Sequence, residues 1–306
     1  MKTIRIICAL SAITLLIGFP LPSLAGTKTG IAINPVIETI VAESAVSIPA
    51  AKEYQRKTCS LVTQFIGSAS VYAKNLKTGQ VVSCNENQVF AAASTIKVPV
   101  SVVVYNHFYK DADESQRHIY DAGVKLMMTI SDNDYFADFL DEIEAKMGSD
   151  VIRQNFAKIG LTQTTIRDAQ ARQTYGYSNT TTAKDMAVFF EQLYAGKLLP
   201  PDKTAFMTDA LSHTIFPDEL ARYMQDRHVL HKIGELDNVL ADVGIVEGPN
   251  GPILISIFTE TDQDSDYASD QIAALSACVY SRLTGEATSW KGKPAPLLAG
   301  TITLAR

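Results

Sequence analysis

The sequence predicts a three-layer α/β fold, in which an antiparallel five-stranded sheet is flanked by terminal helices and interrupted by an all-helical lobe. Three observations predict it. Strand-like segments fall at the two ends of the chain, two within residues 68–84 and three within 229–260, while helix-like segments fill the middle. The last helical segment spaces Ile272, Leu275, Val279 and Leu283 as a stripe able to lie on a sheet. Once a leader is set aside, about 280 residues remain, enough for one two-lobed unit with a sizeable core.

Taken in order, the chain opens with Lys2 and Arg5, an apolar run from Ile6 to Phe19, then Pro20, Pro22 and the small-residue site Ser23-Leu24-Ala25. That is the plan of a secretory signal peptide over residues 1–25. The run is too short to span a bilayer comfortably, and no later stretch approaches the roughly 18 apolar residues a membrane helix needs. The expectation is an exported protein, periplasmic or extracellular, with no stable membrane span after cleavage. Residues 26–49 lack a period and read as a lead-in segment.

The domain proper is expected over 50–286. Ala50 to Ile66 repeats apolar residues at helical spacing, with Tyr54, Leu61 and Phe65 on one side and Cys59, Val62 and Ile66 on another. Ser68–Leu76 and Gln80–Cys84 read as strands joined by Lys77-Thr78-Gly79. Helices are predicted over Ser94–Phe108, His118–Met128, Asn133–Lys146, Asp150–Lys158 and Ala183–Tyr194. Strands return at Val229–Ile233, Val239–Val246 and Pro252–Glu260, the last two joined through Asn250-Gly251, a strong hairpin signal. A helix from Asp266 to Leu283 closes the domain. Residues 50–88 and 220–286 would thus form the α/β lobe, 89–219 the helical lobe, and 287–306 a tail.

Charge excludes one class of partner. The formal charge of −6 becomes −8 when Lys2 and Arg5 leave with the leader, and no block of basic residues is present to track a phosphate backbone, so nucleic acid is not expected. Cys59, Cys84 and Cys278 remain beyond the leader, which allows one disulfide and one free thiol. No cysteine pair has zinc spacing and no H-E-x-x-H occurs, so neither metal nor cofactor is expected.

Three short elements carry chemistry. Ser94-Thr95-Ile96-Lys97 places a hydroxyl and an amine at i and i+3, on one helix face. At a helix start, Ser94 would face a cleft with Lys97 in reach as a base, although a capping serine with a surface lysine is the commoner meaning of that spacing. Ser131-Asp132-Asn133 follows the helical run ending at Ile130; alone, it is an ordinary helix-start turn. Lys232 and Gly234 lie on the predicted strand 229–233 and its extension. An edge-strand lysine commonly guards against aggregation, yet a glycine two residues on lets a substrate backbone approach closely.

In this order and spacing, the three elements resemble the S-x-x-K, S-D-N and K-T-G set of class A β-lactamases and penicillin-binding proteins. The resemblance runs from about residue 50 to residue 284 and includes Thr180-Thr181-Thr182 before the Ala183 helix. It implies the β-lactamase-like fold and a monomeric serine hydrolase whose partner is a β-lactam or a peptidoglycan-derived peptide. It further implies that Ser94 is the nucleophile, Lys97 its base and Ser131 a proton shuttle. Asn133 would contact substrate, Lys232 would anchor a carboxylate beside Gly234, and the backbone N–H groups of Ser94 and Glu235 would form an oxyanion hole. Because the family's terminal helices pack together, it also implies Cys59–Cys278 as the disulfide, with Cys84 the competitor.

Two departures qualify the resemblance. Ile233 stands where the family usually has threonine, removing a hydroxyl expected to help hold the substrate carboxylate. The loop from Gly160 to Asn179 has no glutamate to activate the deacylating water. Asp168 and Gln170 are the remaining contacts for such a water; an ion pair with Arg167 is the expected role of Asp168, and the amide of Gln170 is no base. Slow deacylation follows. The rival enzyme reading, a Ser-His-Asp hydrolase using one of five histidines, lacks a G-x-S-x-G elbow. A D,D-peptidase and a penicillin-binding sensor that stays acylated remain the alternatives within the resemblance.

Overall fold

A computed structural model describes residues 58–148 and 150–290, with the backbone of 293–294. The expected leader, the lead-in, the first turns of the initial helix and the end of the tail lie outside the described residues. All described residues belong to one unit, residues 47–306.

The sheet forms as the alternating segments dictate. Strands β1 (Ser68–Asn75), β2 (Val81–Cys84), β5 (Val229–Leu236), β6 (Val239–Val246) and β7 (Ile253–Glu260) build one antiparallel sheet in the order β2-β1-β7-β6-β5. Buried Asn75 shapes the first hairpin, its Oδ1 accepting from the N–H groups of Lys77 and Thr78 at 3.0 and 2.9 Å. Period-two alternation divides each strand between two cores. Ile253, Ile255 and Ile257 face a cluster with Ile272, Leu275, Val279 and Leu283, whereas Leu254 and Phe258 face the cluster that holds Phe189 and Phe190.

The first of these clusters is completed by helix α9 (Ser265–Thr284), which carries the predicted apolar stripe. Asp264 caps its start by accepting from Tyr267 N, and Gly285, at φ +78°, ends it in the left-handed conformation. Residues 58–64, helical and here termed α1, also pack on this face through Val62. Beyond α9, Ser289–Trp290 (β8) pairs with Lys293–Pro294 (β9).

The other face of the sheet carries the helical lobe. Helix α2 (Lys97–His107) buries Val98, Val100, Val102, Val103 and Val104. A helix apolar on every side belongs at the centre of a lobe, and tertiary burial here outweighs the weak helix propensity of valine. Around it lie α3 (Glu114–Thr129), α4 (Asp134–Met147), α5 (Asp150–Lys158), α6 (Ala169–Tyr175), α7 (Ala183–Tyr194) and α8 (Pro201–Ser212). Two elements absent from the sequence reading, β3 (Val89–Ala91) and β4 (Thr180–Thr182), pair with each other and tie the loop before α7 to the segment entering α2. Helices α6 and α8 were also not expected.

The cysteine pairing differs from the expectation drawn from the resemblance. Cys59 is bonded to Cys84, not to Cys278, which is free. Helix α1 runs beside β2, bringing the Cα atoms of Cys59 and Cys84 to 5.2 Å, inside the range of roughly 4.4 to 6.8 Å that a disulfide spans. On α9 the sheet-facing positions belong to Leu275 and Val279, and Cys278 falls off that stripe.

Candidate active site

Ser94 sits in a 3₁₀ turn, Ala93–Ile96, that leads into α2. In a 3₁₀ turn residues i and i+3 stack directly above one another. Lys97, the first residue of α2, accordingly donates from Nζ to Ser94 Oγ at 2.9 Å. The turn is held by Thr95 Oγ1 donating to Ala92 O at 2.6 Å and by Ala92 N donating to Asn179 O at 2.9 Å. Ala93 has φ +44°, a conformation an alanine adopts only under constraint.

Two other elements converge on the same atoms. Lys97 Nζ also donates to Ser131 O at 2.6 Å and to Asn133 Oδ1 at 2.7 Å. Ser131 itself has φ +61°, which turns it back from the end of α3. Its Oγ lies 2.9 Å from Lys232 Nζ and 3.2 Å from Lys97 Nζ, between the two amines. Asp132 Oδ1 accepts from Tyr135 N at 2.9 Å, so the same tripeptide starts α4 as well. Lys232 reaches this point from β5 and also donates to Ile233 O at 2.9 Å.

Burial tunes both amines. Lys97 is 1 % exposed and Lys232 is 0 % exposed. Burial pushes Lys97 down to about 8, with Asp132 opposing. Burial also pushes Lys232 down to about 7; the neighbouring Lys97 adds to this and Asp242 opposes it. Two ammonium groups on one hydroxyl disfavour each other, so near neutral pH the pair sheds a proton easily.

Alternation along β5 sorts Lys232, Ile233 and Gly234. A side chain at Gly234 would meet Thr95 Cγ2 at 3.0 Å and Ala93 Cβ at 3.1 Å. The close approach that demands glycine is thus that of the strand to the serine turn. Ile233 points the other way, into the cluster under α9. Glu235 lines the open cleft with Ser94, Lys97, Asn133 and Phe136, and the ring of Phe136 lies 5.6 Å from Lys97 Nζ. The cleft holds about 390 Å³.

The far wall is the loop around α6. Arg172, Gly176, Tyr177, Ser178 and Asn179 line it. Neither Asp168 nor Gln170 does. Asp168 caps α6, its Oδ1 accepting from Ala171 N at 2.7 Å, while Gln170 Nε2 donates to Thr174 Oγ1 at 3.3 Å. The expected Arg167–Asp168 ion pair is replaced by pairs from Arg167 to Asp141 and Glu144 on α4. Tyr177 fixes the rim by donating to Asn238 Oδ1 at 2.9 Å, in the turn between β5 and β6. Sequence reasoning missed Phe136, Arg172, Tyr177 and Asn179; only Phe136, one turn beyond Asn133, had a spacing that could have shown it.

Behind β5 lies a polar cluster outside the cleft. His231 Nδ1 is 2.9 Å from the Asp242 carboxylate, which also accepts from Leu220 N at 3.0 Å. A His–Asp pair therefore exists, but it does not line the cleft that holds Ser94. Beside it, burial first and the charge of Asp242 second push Glu219 up to about 7, and its Oε2 has no hydrogen-bond partner. A carboxyl whose folded value is raised contributes stability that is full below its unfolded value and lost as pH rises through about 7. Glu219→Gln should therefore stabilise the protein on the order of 2 kcal/mol at pH 8, and by little at pH 4. Thermal melts at both pH values check this; equal shifts at both would assign the effect to packing.

A serine–lysine cluster between a helical lobe and an antiparallel sheet defines a serine hydrolase fold of the β-lactamase type. The chain belongs to the β-lactamase enzyme family, whose model matches residues 53–123 and 120–283. Among solved structures it is similar to PBP-A, at 24% identity over 75% of this chain and 95% of that one, with a TM-score of 0.65. A PBP-A variant in an acyl-enzyme complex with penicillin G also has 24% identity and a TM-score of 0.65, over 76% of this chain and 96% of that one. TLA-3 extended-spectrum β-lactamase is similar at 16% identity and a TM-score of 0.66, over 76% of this chain and 99% of that one. No curated protein matches the sequence.

Proposed function

We propose that this protein is an exported acyl-transfer enzyme in which β-lactams acylate Ser94, with slow release of the acyl group. The observation that carries the reading is the chain of contacts that runs from Ser94 Oγ through Lys97 Nζ to Ser131 Oγ and Lys232 Nζ. Neutral Lys97 takes the Ser94 proton as Oγ bonds to the lactam carbonyl carbon. The developing oxyanion is met by the N–H groups of Ser94 and Glu235. As the C–N bond breaks, Ser131 passes a proton to the leaving nitrogen and is resupplied from Lys97. Lys232, in its charged form, holds the substrate carboxylate, while burial is what favours neutral Lys97. Water then completes hydrolysis of the ester. The export part of the reading rests on residues 1–25; no helix among the described residues is long and apolar enough to cross a membrane.

The loop wall favours a protein that holds its acyl group, since no loop carboxylate lines the cleft. Intact-protein mass spectrometry with benzylpenicillin tests the reading. The wild-type protein should gain one penicilloyl group and Ser94→Ala none. An adduct on Ser94→Ala, or none on wild type, overturns it.

A further inference from the structure

Arg172 stands apart from the other arginines. Arg153, Arg167, Arg222 and Arg227 hold carboxylates, Arg117 holds the carbonyls of Tyr109 and Lys110, and Arg282 is also engaged. Among the described arginines, only the Arg172 guanidinium has no partner. It is exposed, and it lines the cleft that contains Ser94. Its backbone is fixed, with Arg172 N donating to Asp168 O at 3.1 Å and Gly176 N donating to Arg172 O at 3.0 Å. Glu235 lines the same cleft but forms no ion pair with it. The five N–H donors of Arg172 are thus unclaimed on the wall of the cleft that contains Ser94.

A guanidinium is a planar fork that matches a carboxylate through two parallel hydrogen bonds. Lys232 is committed to the leaving side of the substrate in the function proposed above. Arg172 lines the cleft with Asn133, the residue expected to contact the acyl side. Resting on that function, we infer that Arg172 selects acyl donors whose acyl side chain carries a carboxylate.

Two cephalosporins with the same acetoxymethyl nucleus test this. Cephalothin has an uncharged side chain, and glutaryl-7-aminocephalosporanic acid ends in a carboxylate. Acylation of wild type, followed under single-turnover conditions by loss of β-lactam absorbance, should favour the glutaryl compound about fivefold to tenfold, the effect of one partly exposed charged hydrogen bond. Arg172→Gln should abolish that preference, the ratio of the two rates falling to about one. Arg172→Lys should restore part of it, as a point charge without the fork. Equal wild-type rates, or a preference that survives in Arg172→Gln, overturn the inference and leave the acylation chemistry standing. Failure of both compounds to acylate wild type overturns the function and the inference together.

Discussion

Lys97→Ala should slow acylation of Ser94 by about 10²- to 10⁴-fold, the usual worth of a positioned general base, while the melting profile stays cooperative. The geometry gives the reason. Lys97 Nζ is the amine 2.9 Å from Ser94 Oγ, and the hydroxyl is a poor nucleophile until its proton has somewhere to go. The ammonium must lose a proton first. Lys97 and Lys232 share Ser131 Oγ, so their titrations belong to the pair, with values of about 8 and about 7. The productive form carries one proton; as Lys232 is the lower of the two, that proton rests mainly on Lys97 in the free protein, and a substrate carboxylate beside Lys232 must draw it there to leave Lys97 neutral. Acylation should therefore be bell-shaped in pH, falling below about 7 as both amines become charged and above about 8 as both become neutral. Lys232→Ala should remove the alkaline limb. A profile flat from pH 6 to pH 9 would contradict the assignment.

Nitrocefin should be cleaved in a burst close to one equivalent of protein, followed by a slow steady state. Release of the acyl group requires a water stripped of a proton next to the ester. The cleft wall facing Ser94 offers Arg172, Tyr177, Ser178 and Asn179, none of them a general base at neutral pH. The only carboxylate in the loop, Asp168, is bound to Ala171 N and does not line the cleft. Absence of base assistance should slow deacylation by about 10²- to 10⁴-fold relative to an equivalent site that has it. Rapid multiple turnover without a burst would refute this. In that event Glu235→Gln and Asp168→Asn would identify the carboxylate responsible, Glu235 being the one that lines the cleft.

Much of the scaffold was legible because its periods are strong. Strand β6 and helices α5 and α7 begin and end at the predicted residues, and β7 begins one residue later. Other elements lack such a signal. In α8 the Pro200-Pro201 pair reads as a break, although Pro201 occupies the first helical position, where its missing N–H costs nothing. In α6 the sequence Ala169 to Tyr175 buries only Ala171, so no apolar stripe marks it. Strands of three residues, such as β3 and β4, fall below any periodicity.

The site divides in the same way. Ser94 and Lys97 are neighbours by local spacing, whereas the approach of Lys232 to Ser131 spans 101 residues and was foreseen only through the resemblance. The place of Arg172 depends on how the loop folds back over the cleft. The disulfide depended on which neighbour α1 presents Cys59 to, and helical spacing carries no information about that.

Ala93 and Ser131, held at φ +44° and +61°, bracket the reacting atoms in a backbone region that L residues avoid. Each such residue costs about 1–3 kcal/mol, against a net folding stability of only about 5–15 kcal/mol for a typical protein. The sheet, the lobe around α2 and the Asn179 hydrogen bond must therefore hold the serine turn against a standing tendency to relax. The hydroxyl and the two amines are bent into register once, when the chain folds, so the proposed acylation would need no reorganisation of them. Part of the protein's thermal margin is thereby converted into rigidity of its reacting centre.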